Sequence, residues 1–458
     1  VTTANDAITF NHTIDGAQTL TLVSGTATTT LSGNIGAATA LTGLTITNGT
    51  ANGTITFGGD IGDGSGAGVT GTTAIGNTNT GDLNFNGATY SFDGTTTITA
   101  ASGDTIDIGA AATFTTAADN ITFATGNIEL ADGSNLTVDT GAAGGNITIG
   151  EIDGHSQETV TLDAGTGTTS VGVIGATTEI GALTIGSSDN GGITLNGAIT
   201  TDGIVSIDGP VTLDTAAITV TTANDAITFN HKIDGGQALT LVSGTAATAI
   251  QGTIGGTTAI SSLTITNGTA AGTIEIANIE GVTGATAVGN TNTATITLDG
   301  TTYSTAGTQT YTAAAGQNID ITGAATFTTT NDNISFATSG VDLDNNGTTT
   351  INTDTAGGTV SFGAAIEGNT AGGPFNDLLV ITSGTGDVTF TGAIGATNAL
   401  GGLTVNSSQG NAAITFTSTI GDTGNAGVVG TTAIGNSTTT DLNFNGATYS
   451  FDGTTTIT

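Results

Sequence analysis

Cysteine, methionine, tryptophan and arginine are absent from the 458 residues, proline occurs twice, and Lys232 is the one Lys. Without Cys there is no disulfide, no thiol nucleophile and no Cys-ligated zinc or iron–sulfur centre. One cationic side chain against 37 Asp and Glu leaves a formal net charge of −36. Nothing here can neutralise a run of phosphates, so nucleic acid is excluded as a partner, as is electrostatic docking on anionic lipid. No stretch approaches the roughly 18 uninterrupted apolar residues of a spanning helix, so no membrane insertion is expected in this stretch. The helix formers Lys, Arg, Met, Glu and Gln are scarce too.

What remains is Gly, Thr, Ala, Asn and branched aliphatics. Mean hydropathy is positive at +0.19, which sets the chain apart from disordered acidic sequences. Branching at Cβ in Thr, Ile and Val favours extended backbone. Short alternating runs such as Ala7–Phe10, Leu44–Ile46, Thr54–Phe57 and Ile147–Ile149 put apolar residues on one face and Thr on the other. Gly, Asn, Asp and Ser separate them as turn formers. The chain reads as all-β.

The sequence repeats itself. Val1–Ala27 returns at Val220–Ala246 with 24 of 27 residues identical, and Gly71–Thr99 returns at Gly430–Thr458 with 26 of 29 identical. A phrase of the type LTGLTI recurs from Leu41, Ile180, Ile260 and Leu400. The repeats divide the chain into unit A (1–219), a partial unit B (220–340) and a partial unit C (341–458) that resumes the unit A pattern, stacked as one continuous array. Because the opening phrase recurs mid-chain, a window of a longer tandem array is expected.

Strand starts spaced by roughly 10–13 residues suit either a parallel β-solenoid with coils of about 20–24 residues or tandem antiparallel β-sandwiches. For the sandwich, Asn86-Gly87 and Asp299-Gly300 sit between alternating runs, a strong hairpin signal. Such hairpins could also protrude from a solenoid. For the solenoid, 15 Phe, 4 Tyr and no Trp are few for a series of sandwich cores, whereas a thin core of Ile, Val, Leu and Ala needs little aromatic bulk. Stacked coils also let Thr and Asn form ladders along the axis. The parallel β-solenoid is the expected fold, with a length on the order of 100 Å for roughly 20 coils.

The run ANDAITF, then IDGAQTLTL at Ile14–Leu22 and GNIGAATALTGLTITNG at Gly33–Gly49, resembles the tandem β-strand repeats of large bacterial surface adhesins of the filamentous-haemagglutinin type. The resemblance implies a parallel β-helix that is secreted or tethered at a bacterial cell surface. That family's secretion domain is not in this sequence, nor are the basic patches some members use for sulfated sugars.

Catalytic chemistry has little to work with. A polysaccharide lyase needs a cation to hold the uronate. A hydrolase needs convergent carboxylates, but the acids here are spread through turns and recur between repeats. His12 and His231 are repeat equivalents, and His155 stands apart in IDGHSQ, so no metal triad or Ser-His-Asp spacing forms. GDGSGAG at Gly62–Gly68 lacks the Lys and the following helix of a phosphate loop. Calcium is the one ligand the composition favours, because hard cations take oxygen ligands. Asp342, Asp344 and Asn346 open a D-x-D-x-N-G calcium loop, although Thr353 stands where a closing Glu belongs. N-x-S/T triplets at Asn48, Asn120, Asn146 and Asn267 are candidate glycosylation acceptors. The expected role is structural: an extracellular or cell-surface rod or fibre that self-associates, with divalent cations screening its charge. The alternatives are the stalk of an adhesin whose ligand-binding region lies elsewhere and, more remotely, a polysaccharide-degrading β-helix enzyme.

Overall fold

The computed structural model describes residues 1–62, 66–186, 191–268, 271–344, 346–353, 357–369, 375–422, 424 and 427–458. Among them are 47 strands and no helix, and their strands pair in parallel. Val1–Asp225 and Ala226–Thr458 form two compact units, each a parallel β-solenoid.

In the first unit Ile8 faces Thr29, Thr29 faces Ile55, Ile55 faces Leu83 and Leu83 faces Ile106, coils of 21, 26, 28 and 23 residues. In the second, Ile227 faces Thr248, Thr248 faces Ile274 and Ile274 faces Ile296, coils of 21, 26 and 22 residues. Several coils are longer than the spacing of strand starts suggests, because corner loops are inserted between strands. The 28-residue coil carries the GDGSGAG loop, of which residues 63–65 lie outside the described residues. Alternation places the core as expected: in Gly53–Phe57, Ile55 and Phe57 are buried while Thr54 and Thr56 face outward.

The hairpin reading of Asn86-Gly87 and Asp299-Gly300 is overturned. A two-residue type I′ turn requires positive φ at both residues, and none of these four adopts it. The strands on either side, Thr80–Phe85 and Thr89–Ser91, pair with different neighbours, Thr105–Ile108 and Ala112–Thr115, so the dipeptide turns a corner. Gly is needed there for space: a Cβ on Gly300 would lie 1.4 Å from the Ala277 carbonyl oxygen of the preceding coil. The Gly87 amide donates to the hydroxyl of buried Tyr90 at 2.8 Å, and the Gly300 amide to Tyr303 at 3.0 Å. The N/D-G-x-T-Y phrase is thus a corner with a built-in phenol acceptor, which satisfies an amide that no strand partner reaches.

Aromatic rings play a larger part in the core than their number suggests. Phe336, Phe362, Phe390, Phe416 and Phe444 occupy one register position on successive coils, their centroids 4.8–5.3 Å apart and their planes within 10°. Coil spacing of about 4.8 Å is close to the stacking distance of aromatic rings, so a parallel ladder makes face-on contacts that a sandwich core rarely repeats. Gln309, also fully buried, knits this region together. Its Nε2 donates to the Tyr303 and Thr328 carbonyl oxygens at 2.9 and 2.7 Å, and its Oε1 accepts from the Tyr311 hydroxyl at 2.9 Å.

Candidate functional site

Acids occupy two kinds of place in these coils. The first is a corner at which the side chain reaches to the next coil. Asp15 Oδ1 accepts from the Ala38 and Thr39 amides at 2.8 and 3.1 Å, and Asp60 Oδ1 from Ala88 and Thr89 at 2.7 and 3.0 Å. Asp153 binds Thr177 and Thr178 at 2.8 and 3.2 Å, and Asp234 binds Thr257 and Thr258 at 2.8 and 3.0 Å. Glu367 does the same for Thr397 and Asn398 at 3.0 and 2.7 Å. One carboxylate oxygen thus satisfies two consecutive N–H groups that a corner would leave unpaired. Burial works most strongly against ionisation of Asp234. The Thr258 and Thr257 amides and Lys232, whose Nζ lies 3.0 Å from Asp234 Oδ2, together hold its carboxyl below the ordinary value. Glu158, fully buried, links two turns: Oε1 accepts from the Gly133 amide at 2.9 Å and Oε2 from the His155 amide at 2.5 Å. These acids are structural staples.

The second place is an outward strand position where acids of successive coils stack. In the second unit Asp320 faces Asp342, and Asp342 faces Glu367. Asp342 Oδ2 accepts from Asn318 Nδ2 at 2.6 Å. Burial, then the charges of Asp320, Asp344 and Glu367, push the Asp342 carboxyl up to about 6. Asp320 is raised by burial and by Asp344, and Asp344 by burial and by Asp377. In the first unit the repeat counterparts Asp107 and Glu129 face each other, with Asn84 before them and Asp153 after. Burial first, then the charge of Asp82, raises Asp107 against the opposing Thr105 hydroxyl; burial, Asp153 and Asp107 raise Glu129 against the pull of His155. Asn84, Asn86, Thr105, Asp107, Glu129 and His155 line a groove of about 460 Å³ here, and His155 Nδ1 lies 3.0 Å from the Leu130 carbonyl oxygen.

No family model, curated protein or solved structure matches the chain.

Of the residues expected to hold calcium, Asp344 is close enough to raise the proton affinity of Asp342, and Asp344 Oδ1 is buried without a hydrogen-bond partner among the described residues. Asn346 takes a left-handed φ of 47° and donates its amide to Asp377 Oδ1 at 2.8 Å. Asn345, between them, lies outside the described residues. Among the described residues no three His, Asp or Glu side chains are grouped so as to enclose a metal ion. A hard cation at Asp342 and Asp344 would complete its shell from Asn346, backbone carbonyls and water. Two glycosylation candidates fall: Asn48 and Asn267 are fully buried, donating to Ser24 Oγ at 2.9 Å and to Ser243 Oγ at 3.0 Å. Asn120 and Asn146 are exposed.

Sequence reading missed both arrangements because partners in register lie 22–31 residues apart. The signal was there in aligned form. TIDI at Thr105 and NIEL at Asn127 step by one coil, as do NIDI at Asn318 and GVDL at Gly340, which sets acid over acid twice.

Proposed function

We propose that this chain is a structural component of an extracellular fibre or surface layer at a bacterial cell surface, built from repeats that self-associate. The observation that supports this most is the use of its acids. The staples recur on several separate coils and bind the protein's own backbone, so they serve stacking rather than a single reactive centre. The resemblance to filamentous-haemagglutinin-type repeats points the same way, as does a composition with one trypsin target and none of the easily oxidised Met, Cys and Trp. Divalent cations screen the charge and favour association. In the second reading the chain is an adhesin stalk. Electron microscopy and light scattering of the concentrated chain separate the two: assemblies that grow with concentration support the fibre, and a chain that stays monomeric while retaining a host or sugar ligand supports the stalk. Incubation with acidic polysaccharides should release no reducing ends; their appearance would revive the enzyme reading.

A further inference from the structure

Three features of the first unit coincide at one groove. The first is a stack of acids. Asp107 and Glu129 line the groove and face each other on successive coils, and Asp153 follows Glu129 in register. Asp153 is 1% exposed, its charge bears on Glu129 more strongly than any other, and its Oδ2 has no hydrogen-bond partner among the described residues. Residues 1–225 contain no Lys or Arg, and Lys232 of the second unit is paired with Asp234. A buried carboxylate oxygen without a donor, beside two more carboxylates, is costly in the bare chain, and a cationic ligand removes that cost. The second feature is shape. At the corner next to the acids stand Asn86, Gly109 and Ala131, where the second unit has Asp299, Thr322 and Asp344 at the same repeat positions. The Gly109 and Thr322 amides bond the preceding coil alike, donating to the Phe85 and Leu298 carbonyl oxygens at 2.9 and 3.0 Å, so the two backbones correspond. Gly and Ala leave the first unit's groove open to about 460 Å³, within the roughly 300–1,000 Å³ of small-ligand sites. The third feature is the rest of the lining: the Asn84 and Asn86 amides, the Thr105 hydroxyl and His155. A carbonyl oxygen only accepts, so His155 Nδ1 donates to Leu130 at 3.0 Å and Nε2 is left for another partner.

We propose that this groove binds an amino sugar, a unit of a deacetylated polysaccharide, through its protonated amine. One ammonium lies within reach of both Asp107 and Glu129, whose coils are ~4.8 Å apart, and makes charge-assisted hydrogen bonds to them. The two acids lining the groove thus call for a single cation. The Asn, Thr and His side chains around them pair with hydroxyls, which a sugar ring supplies and a polyamine or a Lys side chain lacks. Carboxylated and sulfated sugars are repelled by the same acids. The site lies within one unit and needs no second copy of the chain, so it goes beyond the fibre reading and does not depend on it.

Isothermal titration of the full chain with the fully deacetylated glucosamine trimer, in neutral metal-free buffer of about 0.15 M ionic strength, tests this. The trimer should bind. The N-acetylated trimer keeps the rings and most hydroxyls but carries no charge, and it should bind weaker by about tenfold or more. Asp107→Asn with Glu129→Gln should lose about tenfold or more, and so should Gly109→Thr with Ala131→Thr, which keeps both acids and fills the groove. Asp320→Asn with Asp342→Asn, on the second unit's stack, should stay within about twofold of the parent. An equal loss in that control would reduce the binding to general attraction by a chain of net charge −36 and overturn the site. Equal binding of the N-acetylated trimer, tighter binding of spermidine or a trilysine peptide, or no heat with the glucosamine trimer would overturn the amino-sugar assignment. The fibre reading would survive any of these, because light scattering tests it separately. Should the groove-filling pair unfold the chain by circular dichroism, the acid pair, which relieves repulsion, carries the same comparison.

Discussion

Asp342 offers the sharpest test of the stacked acids. Its carboxyl titrates near 6 in the folded chain against an ordinary 3.8, a difference of about two pH units. At 1.36 kcal/mol per unit this is ~3 kcal/mol, and because the side chain is half-exposed, solvent screening reduces it to roughly 1–1.5 kcal/mol. The sign follows from the proton balance. A carboxyl raised by folding contributes stability that is fully present below its unfolded value near 4, and that stability is lost as pH rises through about 6. Asp342→Asn removes the charge but keeps an oxygen to accept from Asn318 Nδ2. The variant should therefore be more stable than the parent by about 1–1.5 kcal/mol at pH 7.5 and equal to it at pH 3.5. In a unit of this size that is a rise in Tm of about 2–6 °C at the higher pH only. Thermal melts in a metal-free buffer at the two pH values decide it. A gain of the same size at both, or destabilisation at pH 7.5, would refute the reasoning that stacked carboxylates repel across coils.

The remaining substitutions probe the packing. Asp153→Ala strips the Thr177 and Thr178 amides of their acceptor and should cost about 2–3 kcal/mol in urea unfolding, with Asp153→Asn recovering most of it. Gln309→Leu takes the acceptor from the buried Tyr311 hydroxyl and removes the amide donated to the Tyr303 and Thr328 carbonyl oxygens, and a loss of about 1–3 kcal/mol is expected in the same assay. Tyr303→Phe removes the acceptor of the Gly300 amide and the donor to the Ile276 carbonyl, for about 1–3 kcal/mol. If either core variant melts like the parent, water is replacing the lost partner.

Strand alternation was legible because it is local: Thr54-Ile55-Thr56-Phe57 states its own faces. The parallel stacking was legible only through repetition, and the aromatic argument reached the right fold by an incomplete route. Few rings were read as a core without them, yet Phe336, Phe362 and Phe390 stack inside it. Asn86-Gly87 misled for a related reason. A dipeptide signals a reversal of direction, but whether the next strand folds back or moves to a new face depends on a register partner some 23 residues away, Ile106 for Leu83. The acids at Asp15 and Asp153 looked like solvated turn residues since their acceptor role involves amides 23–25 residues further along. The calcium motif at Asp342 was visible, but the strongest electrostatic neighbour of that residue, Asp320, belongs to another coil.

Calcium can be argued from the same numbers. Stacking Asp320, Asp342 and Glu367 costs stability at neutral pH, and the first unit holds a counterpart in Asp107 and Glu129. If packing alone governed these positions, Thr would serve, as it does at Thr9, Thr30 and Thr56 earlier in the same stack. A divalent cation at Asp342 and Asp344 would convert the repulsion into attraction, and a site of the weak class would have a Kd of about 10⁻⁴–10⁻³ M. At ten times that Kd the folded chain gains about 1.4 kcal/mol, a rise in Tm of roughly 3–6 °C for a unit of this size. The rise should vanish on chelation and be absent from Asp342→Asn with Asp344→Asn, which begins more stable than the parent in metal-free buffer and ends level with it or below it in calcium. A parent transition that does not move between calcium and chelator would show that the stacked acids hold no ion, and their cost would then stand uncompensated.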